Sequence, residues 1–100
     1  MSDKYVLVNG EPAKELDLIK WAQWFESSDR IVEQTQIRDV TVSTVFLALN
    51  HNYGKGEPLI YETMVFKGPL DGEMNRYATK EQAIEGHRIM VEKVKAKEVA

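Results

Sequence analysis

Apolar residues recur along this chain with two periods, alternate positions in its first two thirds and every third or fourth position near its end. Tyr5–Val8 is a short β-prone run, and Asn9-Gly10-Glu11-Pro12 after it is a turn signal, which together predict a small strand or hairpin at a sheet edge. Asp17 is placed to cap a short helix, because its carboxylate would accept from backbone N–H groups one turn on. Leu18, Trp21, Ala22 and Phe25 follow at spacings that make one apolar face, Trp24 widens it, and Ser27-Ser28-Asp29 ends the element. Residues 30–37 alternate as a strand with mixed faces, and Arg38-Asp39 reads as a turn. Residues 40–49 carry apolar side chains at both parities, Val42 and Phe46 on one and Val45, Leu47 and Leu49 on the other. That pattern predicts a central strand covered on both faces.

Residues 59–66 also fill both parities, Leu59, Tyr61 and Val65 against Ile60, Met64 and Phe66, with Glu62 among the latter. The simplest pairing sets them antiparallel to residues 40–49. Residues 67–72 are loop by their Gly and Pro content, and Arg76-Tyr77-Ala78 suffices for a short closing strand. Thr79 with Gln82 matches a capping box, so a long helix should follow. Ala83, Ile84, His87, Met90, Val91 and Val94 repeat along it at helical spacing, and Lys93, Lys95 and Lys97 suit the negative end of its dipole.

These elements define an α+β class: a mostly antiparallel sheet of four to five strands, with a short and a long helix packed on one face. One hundred residues with 43% hydrophobic content close one core and not two, so residues 1–100 read as a single domain. The second apolar parity of the central strands needs a cover. A homodimer through the opposite sheet face is the expectation that supplies it.

Charge narrows the partners. A formal net charge of -3 lacks the basic excess by which proteins neutralise phosphates, so direct nucleic-acid binding is not expected, and -3 is also modest for a nucleic-acid mimic. No cysteine is present, which removes disulfides and thiolate metal sites and fits a reducing compartment. Met1-Ser2-Asp3-Lys4 leads into an apolar run that Asn9-Gly10 interrupts, unlike a signal peptide, and no segment approaches the roughly 20 apolar residues of a membrane span. A cytoplasmic protein without membrane contact is expected.

Candidate chemistry gathers between residues 38 and 79. Gly54-Lys55-Gly56 invites a phosphate-binding reading, yet it lies between two strands with no helix following to present N–H groups, as an ordinary hairpin loop would. His51 and His87, the only histidines, lack short-range ligand spacing, and a metal site would need them joined by Asp71, Glu73 or Glu62. As structural residues, His51 would bond its own loop backbone and His87 would sit at the border of the core. Ser43 and Thr44 fall in a predicted strand and not on a nucleophile elbow. Asp71 and Glu73 have the standing of solvated or capping acids. No catalytic residue, metal or cofactor is assigned. Trp21 and Trp24 read as core, and the alternative is an aromatic binding surface formed by them with Tyr53, Tyr61 and Tyr77. What folding alone does not explain is the loop of residues 50–58 and its surroundings: Asn50, His51, Tyr53, Glu62, Arg76 and Tyr77 are the candidate ligand- or partner-binding residues.

Trp21-Ala22-Gln23-Trp24-Phe25-Glu26, Ser43-Thr44-Val45-Phe46-Leu47, Asn50-His51, Gly54-Lys55-Gly56-Glu57-Pro58, Glu62-Thr63-Met64-Val65-Phe66 and Arg76-Tyr77-Ala78-Thr79 are strung along the chain. In this combination, from Trp21 to His87, the sequence resembles a widespread group of small phage and prophage proteins. The resemblance implies a viral origin and carries no activity with it. Asn50 stands where the group has Asp, and Lys67 where it has Gly. The leading expectation is therefore a non-enzymatic phage accessory protein that binds a host protein, modulating host metabolism or defence. The second is a small-ligand, nucleotide-like binding protein or sponge with a pocket at the strand ends. A third, a metal-dependent or acid/base enzyme, would need His51 or His87 beside Asp71 or Glu73.

Overall fold

The computed structural model describes residues 3–98. A hairpin opens the chain: β1 (Tyr5–Val8) pairs antiparallel with β2 (Glu11–Lys14) across Asn9-Gly10, both of which take positive φ, 52° and 81°. Two successive left-handed residues match the twist of the flanking strands, which is why an Asn-Gly pair serves there. Helix α1 (Leu18–Ser27) starts at Asp17, whose Oδ1 accepts from the backbone N–H of Ile19 at 2.9 Å and of Lys20 at 3.1 Å.

Four strands then form an antiparallel meander in the order β3 (Ile31–Ile37), β4 (Val40–Phe46), β5 (Tyr61–Phe66) and β6 (Met74–Tyr77). Helix α2 (Lys80–Glu98) lies across all four strands. Its start follows the capping box, with the Gln82 N–H donating to Thr79 Oγ1 at 3.1 Å while Gln82 Oε1 accepts from the Ala78 N–H at 3.1 Å. The α+β architecture with both helices on one sheet face is thus realised, with the hairpin as a separate two-stranded sheet tied to the meander by a bridge between Lys4 and Leu49. No helix of the described residues is long and apolar enough to cross a membrane.

The core has two apolar clusters on the helix side of the sheet. One gathers Tyr5, Phe46, Ala48, Ile60, Tyr61 and Ala83, and the other Val40, Val42, Val65, Met90, Val91 and Val94. Trp21, Trp24 and Phe25 close the first from α1, and the Trp21 indole N–H points at the carbonyls of Tyr5 (3.1 Å) and Ala48 (3.2 Å). This anchor rotates α1 away from the expected apolar face. Leu18 and Ala22 are exposed, because the two indoles and the Phe25 ring have far more apolar surface to bury than Leu18 and Ala22.

Three other expectations change. Strand β4 ends at Phe46, short of residue 49, where Ala48 turns the chain with a φ of 65°. Its burial alternates strictly: Val40, Val42, Thr44 and Phe46 are buried beneath the helices, while Thr41, Ser43 and Val45 are half-buried, and among the described residues neither helix covers that second face. Ile84, expected on the buried stripe of α2, is 46% exposed.

Gly86 fixes how closely α2 approaches the sheet. A Cβ at this position would overlap the ring of Tyr77 on β6. The overlap costs about 1–3 kcal/mol, which offsets or exceeds the ~1 kcal/mol that alanine normally returns in a helix, so Gly86→Ala is expected to lower stability by up to about 2 kcal/mol. Urea unfolding measures the sign; a variant more stable than wild type would show that the ring yields freely.

Candidate functional site

The six candidate residues occupy three places. Asn50, His51 and Tyr53 belong to the loop between β4 and β5. There Asn50 Oδ1 accepts from the N–H groups of Asn52 (2.7 Å) and Leu59 (3.0 Å), joining the two ends of the loop. Asn52, which the sequence reading passed over, is the hub: Oδ1 accepts from the Gly54 N–H, and Nδ2 donates to the carbonyls of Lys55 and Glu57. His51 Nδ1 meets the Leu49 carbonyl at 3.0 Å. A carbonyl only accepts, so the proton is on Nδ1, and the histidine bonds its own loop as a structural residue would. The loop borders a cleft of about 520 Å³ shared with the hairpin, lined among others by Tyr5, Lys14, Asn50, Tyr53 and Lys55. Tyr53 is 89% exposed. An Asp at position 50 would present the same acceptor to the same two N–H groups, so this position is explained by loop closure in either form.

Glu62 and Arg76 lie on the open face of the sheet, where Arg76 Nε donates to Glu62 Oε2 at 3.0 Å. Residues paired across strands share a face. The register therefore sets Ile31, Val45, Glu62 and Arg76 in one row across all four strands, with Ser43, Met64 and Met74 in the next and Thr41 and Phe66 beyond. Ile31 and Phe66 are about half exposed, and Met74 is exposed at the sheet edge.

Tyr77 points the other way, under the sheet against Gly86, and its buried Oη has no hydrogen-bond partner among the described residues. The structure thus does not gather the six residues into one pocket.

Between the two apolar clusters runs a polar chain that the sequence reading missed. His87 is not at the core border but 1% exposed, with Nε2 2.8 Å from Thr35 Oγ1 and Nδ1 2.7 Å from Thr44 Oγ1, and Thr44 Oγ1 is 2.5 Å from Thr63 Oγ1. The Glu33 carboxylate, 3.8 Å from Nε2, favours the proton on that nitrogen. Nδ1 then accepts from the Thr44 hydroxyl, whose oxygen accepts from Thr63. A signal for this existed: Thr44 sits between Val42 and Phe46, and Thr63 between Tyr61 and Val65, at inward parity, opposite a histidine on the apolar stripe of α2. His51 and His87 have separate partners. Among the described residues, no three His, Asp or Glu side chains form a group that could hold a metal ion.

No family model, no curated protein and no solved structure matches the chain.

Burial lowers the pKa of His87, and the Glu33 carboxylate offsets this only in part. The unfolded chain, where a histidine titrates near 6.5, therefore takes up this proton before the folded protein does. The contribution of His87 to stability is complete above about pH 6.5 and falls as pH drops from there toward the lower folded value. Urea midpoints between pH 8 and pH 5 should show this decline in wild type and a shallower one in His87→Gln; parallel profiles would remove His87 as its source.

Proposed function

We propose that the protein is a non-enzymatic phage accessory protein that acts in the host cytoplasm by binding a host protein through the open face of its sheet. The observation that carries this is the four-strand surface itself. Ile31, Val45, Met64, Phe66 and Met74 place apolar side chains around the Glu62–Arg76 pair, and no helix of the described residues lies over them. An apolar patch with polar groups set in it is the usual composition of a protein-binding surface. The Glu62–Arg76 pair gives such a surface orientation: the carboxylate is 14% exposed and the guanidinium 32%, so a partner's hydrogen bonds would be made to a fixed, half-desolvated pair. The resemblance to phage proteins supports a host protein as the partner. A second copy of the chain, face on face, is the competing occupant.

Met64→Asp and Phe66→Asp test the assignment, since both positions point away from the core. Each variant should keep the wild-type unfolding free energy within about 1 kcal/mol, as surface changes do, and lose binding to partners captured by the wild-type protein from host lysate. Equal capture by wild type and variants would place the binding surface elsewhere. Light scattering reads the competing occupant: a dimer that Phe66→Asp turns into a monomer would assign the face to self-association.

The loop cleft favours a second reading, a small-ligand binding protein or sponge. Lys14 and Lys55 bring positive charge to its walls beside Asp3, and the exposed Tyr53 ring, its centroid 6.4 Å from that of His51, offers a face on which a base-like ligand would stack. Nucleotides should then raise the melting temperature of the wild-type protein and have less effect on Tyr53→Ala. No shift with any nucleotide would remove this reading.

A further inference from the structure

Strand β3 is an outer strand of the meander, and among the described residues the only elements it meets are β4 and α2. Its neighbour β4 shows which of its backbone groups are already bonded. The Phe46 N–H donates to the Arg30 carbonyl, just before β3, at 2.8 Å, and the Leu47 N–H to the Ile60 carbonyl, just before β5, at 2.7 Å. Backbone groups of successive residues in a strand point to opposite sides, so the even-numbered residues of β4 bond to β3. Their partners in the register are Glu33, Thr35 and Ile37. The N–H and C=O of Gln34 and Gln36 therefore point away from the sheet, and nothing among the described residues bonds to them.

An edge with free N–H and C=O groups is a template for another strand unless charge, proline or shortness blunts it. The opposite edge is blunted, since β6 has four residues and Arg76 among them. Strand β3 has seven, with no lysine or proline, and its outward groups belong to two uncharged glutamines. An irregularity between Ile31 and Glu33 and the turn at Arg38-Asp39 confine the regular edge to residues 33–37. What fits there is written in the segment itself: Gln34-Thr35-Gln36 reads the same in both directions. A second copy turned about Thr35 meets it with the same three residues in the same places.

We propose that β3 pairs antiparallel with β3 of a second copy about Thr35, joining the two meanders into one continuous sheet. Gln34 of each copy is then opposite Gln36 of the other, and each of these pairs exchanges both backbone hydrogen bonds. Opposite residues share a face, so both α2 helices lie on one side of the joined sheet and both open faces on the other. Further out, Glu33 of one copy is opposite Ile37 of the other and next to its Arg38, which brings opposite charges together at both ends. The Glu33 side chain is 50% exposed and Arg38 is exposed, so both are available for this. The interface uses neither the apolar patch of the open face nor the loop cleft, and it does not depend on the function proposed for either.

Sedimentation velocity and light scattering across a concentration series test the pairing. Wild type is expected to pass from monomer to dimer, and Phe66→Asp to do the same, because position 66 is on β5, away from this edge. Gln34→Lys with Gln36→Lys sets like charges opposite each other in both pairs, and the dimer Kd should rise at least about tenfold. Gln34→Glu with Gln36→Lys sets opposite charges in the same places and should dimerise at least as well as wild type. Both variants lose the bond that Gln36 Oε1 accepts from Thr41 Oγ1, so that loss does not account for a difference between them. Wild type that is monomeric up to about 1 mM, a dimer that Phe66→Asp dissolves, an unchanged Kd in the double-lysine variant, or a Glu/Lys variant that stays monomeric would each overturn the proposal.

Discussion

The hydrogen-bonded chain from Thr63 through Thr44 and His87 to Thr35 is the constraint around which the rest is arranged. Apolar side chains alone would let a helix slide along a sheet at little cost, because their contacts lack direction. Here two strands, β3 and β4, each present one hydroxyl to the His87 imidazole on α2, with Thr63 of β5 bonded behind Thr44, and a shift of the helix by one turn would leave the buried imidazole without either partner. The two apolar clusters can pack on either side because the polar chain fixes the helix lengthwise. Gly86, one residue earlier, then sets how close the helix lies, with the Tyr77 ring filling the space that a side chain would have taken.

A helix fixed in this way makes a two-layer protein with a marked division of labour. Residues of one parity in β4 and β5 hold the fold: Val42, Thr44 and Phe46, with Tyr61, Thr63 and Val65. Those of the other parity, Ser43, Val45, Glu62, Met64 and Phe66, meet no second layer among the described residues. Helix α1 and the hairpin belong to the first cluster through the Trp21 indole, so they extend the core sideways and add nothing over the open face. The loop cleft arises at that sideways extension, where the hairpin meets the meander.

Much of this was legible in the sequence where a local rule decides the outcome. Asp17 and the Thr79–Gln82 pair marked the helix starts, Asn9-Gly10 marked the hairpin, and period-two alternation marked the strands, because caps and tight turns are satisfied within a few residues. The rest depended on contacts distant in sequence. Apolar residues at both parities of residues 40–49 implied two covers, yet the described residues supply one. The rotation of α1 was set by where two indoles found a core, and the burial of His87 by three threonines up to 52 residues away. The candidate site was assembled along the sequence without applying strand alternation to Arg76 and Tyr77, which, adjacent in a strand, face opposite sides of the sheet.

That last pair shows what strand alternation gives a small protein. Along β5, changes at 61, 63 or 65 meet the helix layer, while 62, 64 and 66 meet their neighbours in the sheet and, among the described residues, no second layer. Two kinds of selection can therefore act on neighbouring codons without interfering. A protein built this way can follow a changing partner by rewriting alternate letters of a strand, and its architecture need not take part in the contest.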